Sequence, residues 1–199
     1  MQPTSRPHSS SQRVLGVDPG SLRFGWGIIE VTGADMRYIA SGVFRMPARD
    51  PLPERLGQLL THLEALLLDH RVDTVAVEQA FVYKNPRTAL VIGQARGLPI
   101  ALAAARGLQV AEYQPATVKQ AVVGSGRASK EQVSHMVQLQ LGLKGLPQED
   151  EGDALAVALT HGRQGAAQVE DAMADSGQLT SARAYYASVV AGAKGRKRR

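Results

Sequence analysis

Four carboxylates stand at the borders of apolar runs. Asp18 ends Val14-Leu15-Gly16-Val17, and Glu78 ends Val72-Asp-Thr-Val-Ala-Val77. Asp150 and Asp153 lie in the acidic start of a third segment that becomes apolar from Ala154 to Leu159. Three residues apart, they share one face of a helix. Four carboxylates gathered in one place repel each other, and at least one pKa rises unless a cation intervenes. Mg2+ suits such a set, because a hard ion takes oxygen ligands and leaves room for water and phosphate. Two ions about 3.5–4 Å apart activate an attacking water and stabilise the leaving oxygen of a phosphodiester. The chemistry open to the gathered set is therefore metal-dependent phosphodiester hydrolysis. Taken singly, the same acids are a turn former, a strand-end residue and two acids at a helix N-terminus. The residues alone leave both readings open.

The elements that would have to gather these acids are legible in outline. The run ending in Asp18 reads as a strand, Pro19-Gly20 turns the chain, and Phe24-Gly-Trp-Gly-Ile-Ile29 returns as a hairpin partner. Residues 35–46 fit a third strand, with Gly33 in the turn before it and a bulge expected at Gly42. Leu52, Leu56, Leu59, Leu60, Leu63, Leu66 and Leu67 recur at helical spacing, with Pro51 and Pro53 in the tolerated first turn. The strand delivering Glu78 follows. A strand–helix–strand crossover joins parallel strands, which would set Glu78 and Asp18 at the same sheet edge. The pattern then predicts a helix over 86–105, a strand over 109–113, a short helix over 115–123, a loop over 124–128 and a helix over 129–141. Leu146-Pro147 breaks the chain before the last, buried helix, which ends near His161.

Composition bounds the rest. The 199 residues, 44% apolar and 21% charged, suit one domain with tails. There is no Cys, which excludes disulfides and thiolate chemistry and fits a cytoplasmic location. No run of 18 or more apolar residues predicts a membrane span. Residues 1–12 read as a disordered leader, residues 13–163 as the folded domain and residues 164–199 as a mostly disordered basic tail, with a weak helix over 181–190. The net charge of +5 equals the contribution of Lys194, Arg196, Lys197, Arg198 and Arg199. Within the body, residues 81–130 carry seven basic residues against Glu112 alone. Charge segregated in this way suits a polyanionic partner.

Five motifs in order now resemble a known family. They are Gly16-Val-Asp-Pro-Gly-Ser21, Val77-Glu-Gln79 with Phe81, Gly93-Gln-Ala-Arg-Gly97, Lys119-Gln-Ala-Val-Val-Gly124 and Asp150-Glu-Gly-Asp-Ala-Leu-Ala156. Together they resemble the bacterial RuvC-type Holliday junction resolvases over roughly residues 13–163. The resemblance implies an α/β, ribonuclease-H-like fold with a five-stranded mixed sheet flanked by helices. It implies that Asp18, Glu78, Asp150 and Asp153 are catalytic acids holding Mg2+, two ions per site, with Mn2+ as a substitute. It also implies a homodimer that makes paired nicks in four-way junction DNA and works with a RuvA–RuvB-type branch-migration complex, with no membrane involved.

The same resemblance assigns Phe81 to stacking on an unpaired base and Lys119 and Lys130 to the scissile phosphates. Lys84, Arg87 and Arg127 are phosphate contacts expected on charge. Tyr83 is either a DNA neighbour or a packing residue, Trp26 reads as core, and His161 has no evident partner. The basic tail either adds sequence-independent DNA affinity or serves a partner or solubility. Three rivals stand beside this reading. A sugar-kinase-like ATPase needs two such domains, and 199 residues are too few. Another ribonuclease-H-like nuclease shares the acids. A non-catalytic junction-binding module would not need all four.

Overall fold

The computed structural model describes residues 11–20, 22–79 and 85–174, except for the side chains of 165–174. Phe81, Tyr83 and Lys84, most of the expected leader, and the 181–190 helix with the basic run lie outside the described residues. The chain divides into two compact units, Met1–Ala166 and Ala167–Arg199.

The described residues form five strands and five helices. In order they are β1 (Gln12–Asp18), β2 (Arg23–Thr32), β3 (Asp35–Arg45), α1 (Leu52–Asp69), β4 (Thr74–Glu78), α2 (Pro86–Ala105), β5 (Gln109–Tyr113), α3 (Pro115–Val123), α4 (Lys130–Leu141) and α5 (Glu149–Ala174). The sheet order is β3-β2-β1-β4-β5. The first three strands form the expected antiparallel meander. The crossovers through α1 and α2 add β4 and β5 in parallel.

Side chains alternate across each strand, and the two faces of the sheet carry separate cores. Leu15, Val17, Phe24, Ile28, Val75 and Val77 pack with the leucines of α1 and with Ala95 and Ala103 of α2. Val14, Ile29, Val31 and Ala76 belong to the opposite face, packed with α3, α4 and α5.

Several expectations need correction. The bulge falls at Ile39, not Gly42, because the register passes from Ile28 opposite Ala40 to Ile29 opposite Tyr38. Gly42 has another cause: a methyl there would lie 3.1 Å from the Trp26 indole. Trp26 itself is half-buried and stacks on Phe44 at 5.7 Å. β1 begins at Gln12, inside the expected leader. The last helix continues to Ala174, through residues read as the start of the tail. Its Ala, Gln and Glu content favours helix. Finally, α2 is long and apolar enough, by length and composition, to cross a membrane. It nevertheless packs on β4, β5 and α1. Its Arg96 donates to the Glu78 carbonyl at 3.2 Å and pairs with Glu112.

Candidate active site

Strand alternation explains why the acids face one way. Val14, Gly16 and Asp18 share the α5 side of β1, and Thr74, Ala76 and Glu78 share the same side of β4. Parallel pairing runs from Val14 opposite Thr74 to Val17 opposite Val77. Asp18 and Glu78 follow that last pair by one residue on each strand. Two carboxylates thus leave the sheet side by side.

Helix α5 brings the other two by lying almost directly on the strand backbones. A methyl on Gly16 would stand 2.1 Å from the Ala154 carbonyl oxygen, and one on Gly25 would stand 1.9 Å from that of Asp150. Gly25 is the residue paired with Asp18 across β1 and β2. The backbone of Asp150 therefore rests over the neighbour of Asp18. Polar contacts hold this first turn. Arg45 Nη2 donates to Gln148 Oε1 at 2.5 Å, and Ser41 Oγ donates to Glu151 Oε1 at 2.5 Å. The second oxygen of Glu151 accepts from the Gln148 backbone N–H at 3.1 Å, which closes the helix start.

The electrostatics follow from this gathering. Burial, then repulsion from Asp153, Glu78 and Asp150, pushes Asp18 up to about 7. Burial, then Asp153, pushes Glu78 up to about 7, opposed by Lys130 and Lys119. Burial raises Asp153 too, against the pull of Lys130. Two chain cations engage the α5 acids. Arg23 Nε donates to Asp150 Oδ2 at 2.5 Å. Lys130 Nζ donates to Glu149 Oε1 at 2.6 Å and to Asp153 Oδ2 at 3.2 Å.

Of the two lysines expected at the phosphates, Lys130 touches Glu149 and Asp153, and Lys119 lies near enough to Glu78 to lower its pKa. Arg87 is exposed on the first turn of α2, and Arg127 is exposed in the loop before α4. Neither pairs with the four acids among the described residues. A cleft of about 320 Å³, lined by Lys130, Ser134, His135, Pro147 and Asp153 among others, opens between α4 and the start of α5. His161 does have a partner: its Nδ1 lies 2.7 Å from the Tyr113 hydroxyl. Tyr113 is paired with Glu78 across β4 and β5, so this bond ties α5 to the acid-bearing edge.

Arg23, Glu149 and the Ser41–Glu151 contact escaped the sequence reading. A usable signal was the period-2 glycine pair Gly25 and Gly27 facing Gly16, which marks a bare strip where a helix can rest.

As they stand, no three acids or histidines among the described residues are close enough to clasp an ion. The donor set nonetheless fits a hard divalent cation. It is all oxygen, and its buried members are raised by burial and then by mutual repulsion, the part a cation relieves.

Comparison with known proteins agrees with this architecture. A family model described as crossover junction endodeoxyribonuclease RuvC matches residues 14–161. The crossover junction endodeoxyribonuclease RuvC of Alkalilimnicola ehrlichii is 50% identical over 149 residues, covering 75% of this chain and 90% of the relative. That of Neisseria meningitidis serogroup A is 48% identical over 153 residues, covering 77% and 86%. The structure of T. thermophilus RuvC in complex with a Holliday junction substrate superposes with a TM-score of 0.75 at 36% identity, covering 79% of this chain and 96% of that one. The five-stranded mixed sheet and its helices are the ribonuclease-H-like fold of these neighbours, and the chain belongs to the RuvC family of crossover junction endodeoxyribonucleases.

Proposed function

We propose that this chain resolves four-way DNA junctions by paired, symmetric nicks, with Asp18, Glu78, Asp150 and Asp153 as its metal-holding catalytic acids. The observation that carries the assignment is the placement of Asp18 and Glu78 on adjacent parallel strand ends, beneath the first turn of α5. Bound Mg2+, two ions per site with Mn2+ able to substitute, would activate water and stabilise the leaving oxygen. The protein's own part is to hold the oxygen donors in place on strand ends and a helix turn. Lys119 and Lys130 both lower the pKa of Glu78 and suit the phosphate flanking the cut. Phe81 suits stacking on an unpaired base at the crossover, a contact worth about 1–3 kcal/mol. Lys84, Arg87 and Arg127 suit backbone phosphates further out.

A junction has approximate two-fold symmetry, and a two-fold dimer matches it with two sites. Helix α2 supports this arrangement. Leu90 is 66% exposed, and Gly93, Gly97 and Ala101 recur every fourth residue on its uncovered side. Small residues at that spacing let two helices approach closely. A cytoplasmic location and cooperation with a branch-migration complex complete the reading.

The test is a nicking assay on mobile four-way junction, linear duplex and RNA–DNA hybrid, with Mg2+, Mn2+ or chelator. Paired nicks on the junction alone are expected, and Asp18→Asn should reduce them by about 10²–10³-fold or more. Equal cutting of all three substrates would sink the assignment. A chain that sediments as a monomer at assay concentrations would remove the dimer.

A further inference from the structure

We propose that Arg23 is a resident counter-ion of the acid site, which occupies Asp150 in the metal-free protein and must release it before a divalent cation can use that carboxylate. This rests on the metal-site reading above. Arg23 opens β2, and its Nε stands 2.5 Å from Asp150 Oδ2. That oxygen is one of the two with which Asp150 could ligate a cation. Its side chain is 48% exposed, whereas that of Asp150 is 23% exposed, so the guanidinium can swing into water without disturbing the core.

The neighbouring residue supplies a contrast. Arg45 is the cross-strand partner of Arg23, but its guanidinium holds the neutral amide of Gln148. Two arginines thus bring similar charge to one corner, and only Arg23 competes for a carboxylate. Asp150 is thus engaged by Arg23, and Asp153 by Lys130. The pair neutralises Asp150 alone in the first turn of α5 while no metal is bound. In exchange it lowers metal affinity by the population of the paired state. For an ion pair half open to water, that factor is about fivefold.

The experiment measures Mn2+ binding to the full chain without DNA, by calorimetry or by the loss of the free-ion EPR signal. Arg23→Gln should bind Mn2+ about fivefold more tightly than the parent. Arg45→Gln should not tighten binding, because it removes the same charge without freeing a carboxylate and loosens the start of α5. Arg23→Met, which keeps the aliphatic stem, repeats the measurement if the Gln variant folds poorly. Unchanged or weaker binding in both Arg23 variants overturns the proposal. Equal tightening in Arg45→Gln also overturns it, since the effect would then be the general field. If the parent shows no Mn2+ site that Asp18→Asn removes, the metal-site reading fails first, and this proposal falls with it.

Discussion

Helices α1 and α5 lie on opposite faces of the same strands and meet them in different ways. Leu59, Leu63, Leu66 and Leu67 of α1 belong to one core with Leu15, Val17, Phe24 and Ile28. Where α5 crosses β1 and β2, it finds Gly16, Gly25 and Gly27, and it presents Ala154, Leu155 and Ala158 to them. A layer of large side chains absorbs small changes by repacking. At Gly16 and Gly25, where α5 rests backbone on backbone, there is no such cushion. The face that needs accurate placement, because it carries Asp150 and Asp153, is the one built without slack.

The contrast can be tested from its largest expected effect downward. Among the described residues, only the α5 face holds carboxylates raised by burial and repulsion, Asp18 and Glu78 both to about 7. Such groups keep their protons in the folded state at a pH where the unfolded chain has lost them. Stability is therefore greatest below about pH 4 for these groups, falls as pH rises through about 7, and then levels off. For the coupled pair the loss is on the order of several kcal/mol. Thermal melts of metal-free protein across that window should show the decline, and Asp18→Asn should flatten it. A melting temperature that rises from about pH 4.5 to 7 would contradict the assignment.

Next, Leu63→Ala on the α1 face should cost about 2–5 kcal/mol in denaturant unfolding while leaving Mn2+ affinity near the parent value. Gly25→Ala should cost less, about 1–3 kcal/mol, yet weaken Mn2+ binding clearly, because α5 must lift. If the two variants lost metal affinity equally, the distinction between the faces would fail. Smallest is Tyr113→Phe, which removes the hydroxyl facing His161 and should cost about 0.5–1.5 kcal/mol. Because that bond ties α5 to the edge bearing Glu78, the loss should be accompanied by a modest fall in Mn2+ affinity.

The sequence is most legible where the signal is local. Alternation and leucine spacing locate all five strands and the helices, and the crossover rule pairs β1 with β4 in parallel. Pattern alone therefore sets Asp18 and Glu78 at one edge. What stays hidden depends on partner choice between distant segments. Arg23 looks like an ordinary strand-end residue until Asp150, 127 positions away, is set beside it. Tyr113 and His161 are 48 positions apart, and neither sits in a motif that announces the other. The bulge departs from its expected place for a related reason. Gly42 is a glycine because of the indole across from it, a cause that local strand rules do not contain. The DNA-contacting assignments come from family resemblance, and their physical support differs from residue to residue. Lys130 is tied to the acids by direct contacts, while Arg87 and Arg127 rest on charge and exposure.

Lys130 is the first residue of α4, behind a Ser129–Gln132 capping box, and it touches Glu149, the first residue of α5. The amino ends of two helices thus converge on one corner. Each amino end carries roughly half a positive charge from its aligned peptide dipoles, so the corner holds about one elementary charge that belongs to no side chain. No proton can titrate it and no lysine substitution can erase it. Lys130 itself stands at the unfavourable end of its own helix, and the carboxylates it touches offset that repulsion. For an arriving phosphodiester, this backbone charge offsets part of the repulsion from the carboxylates clustered there.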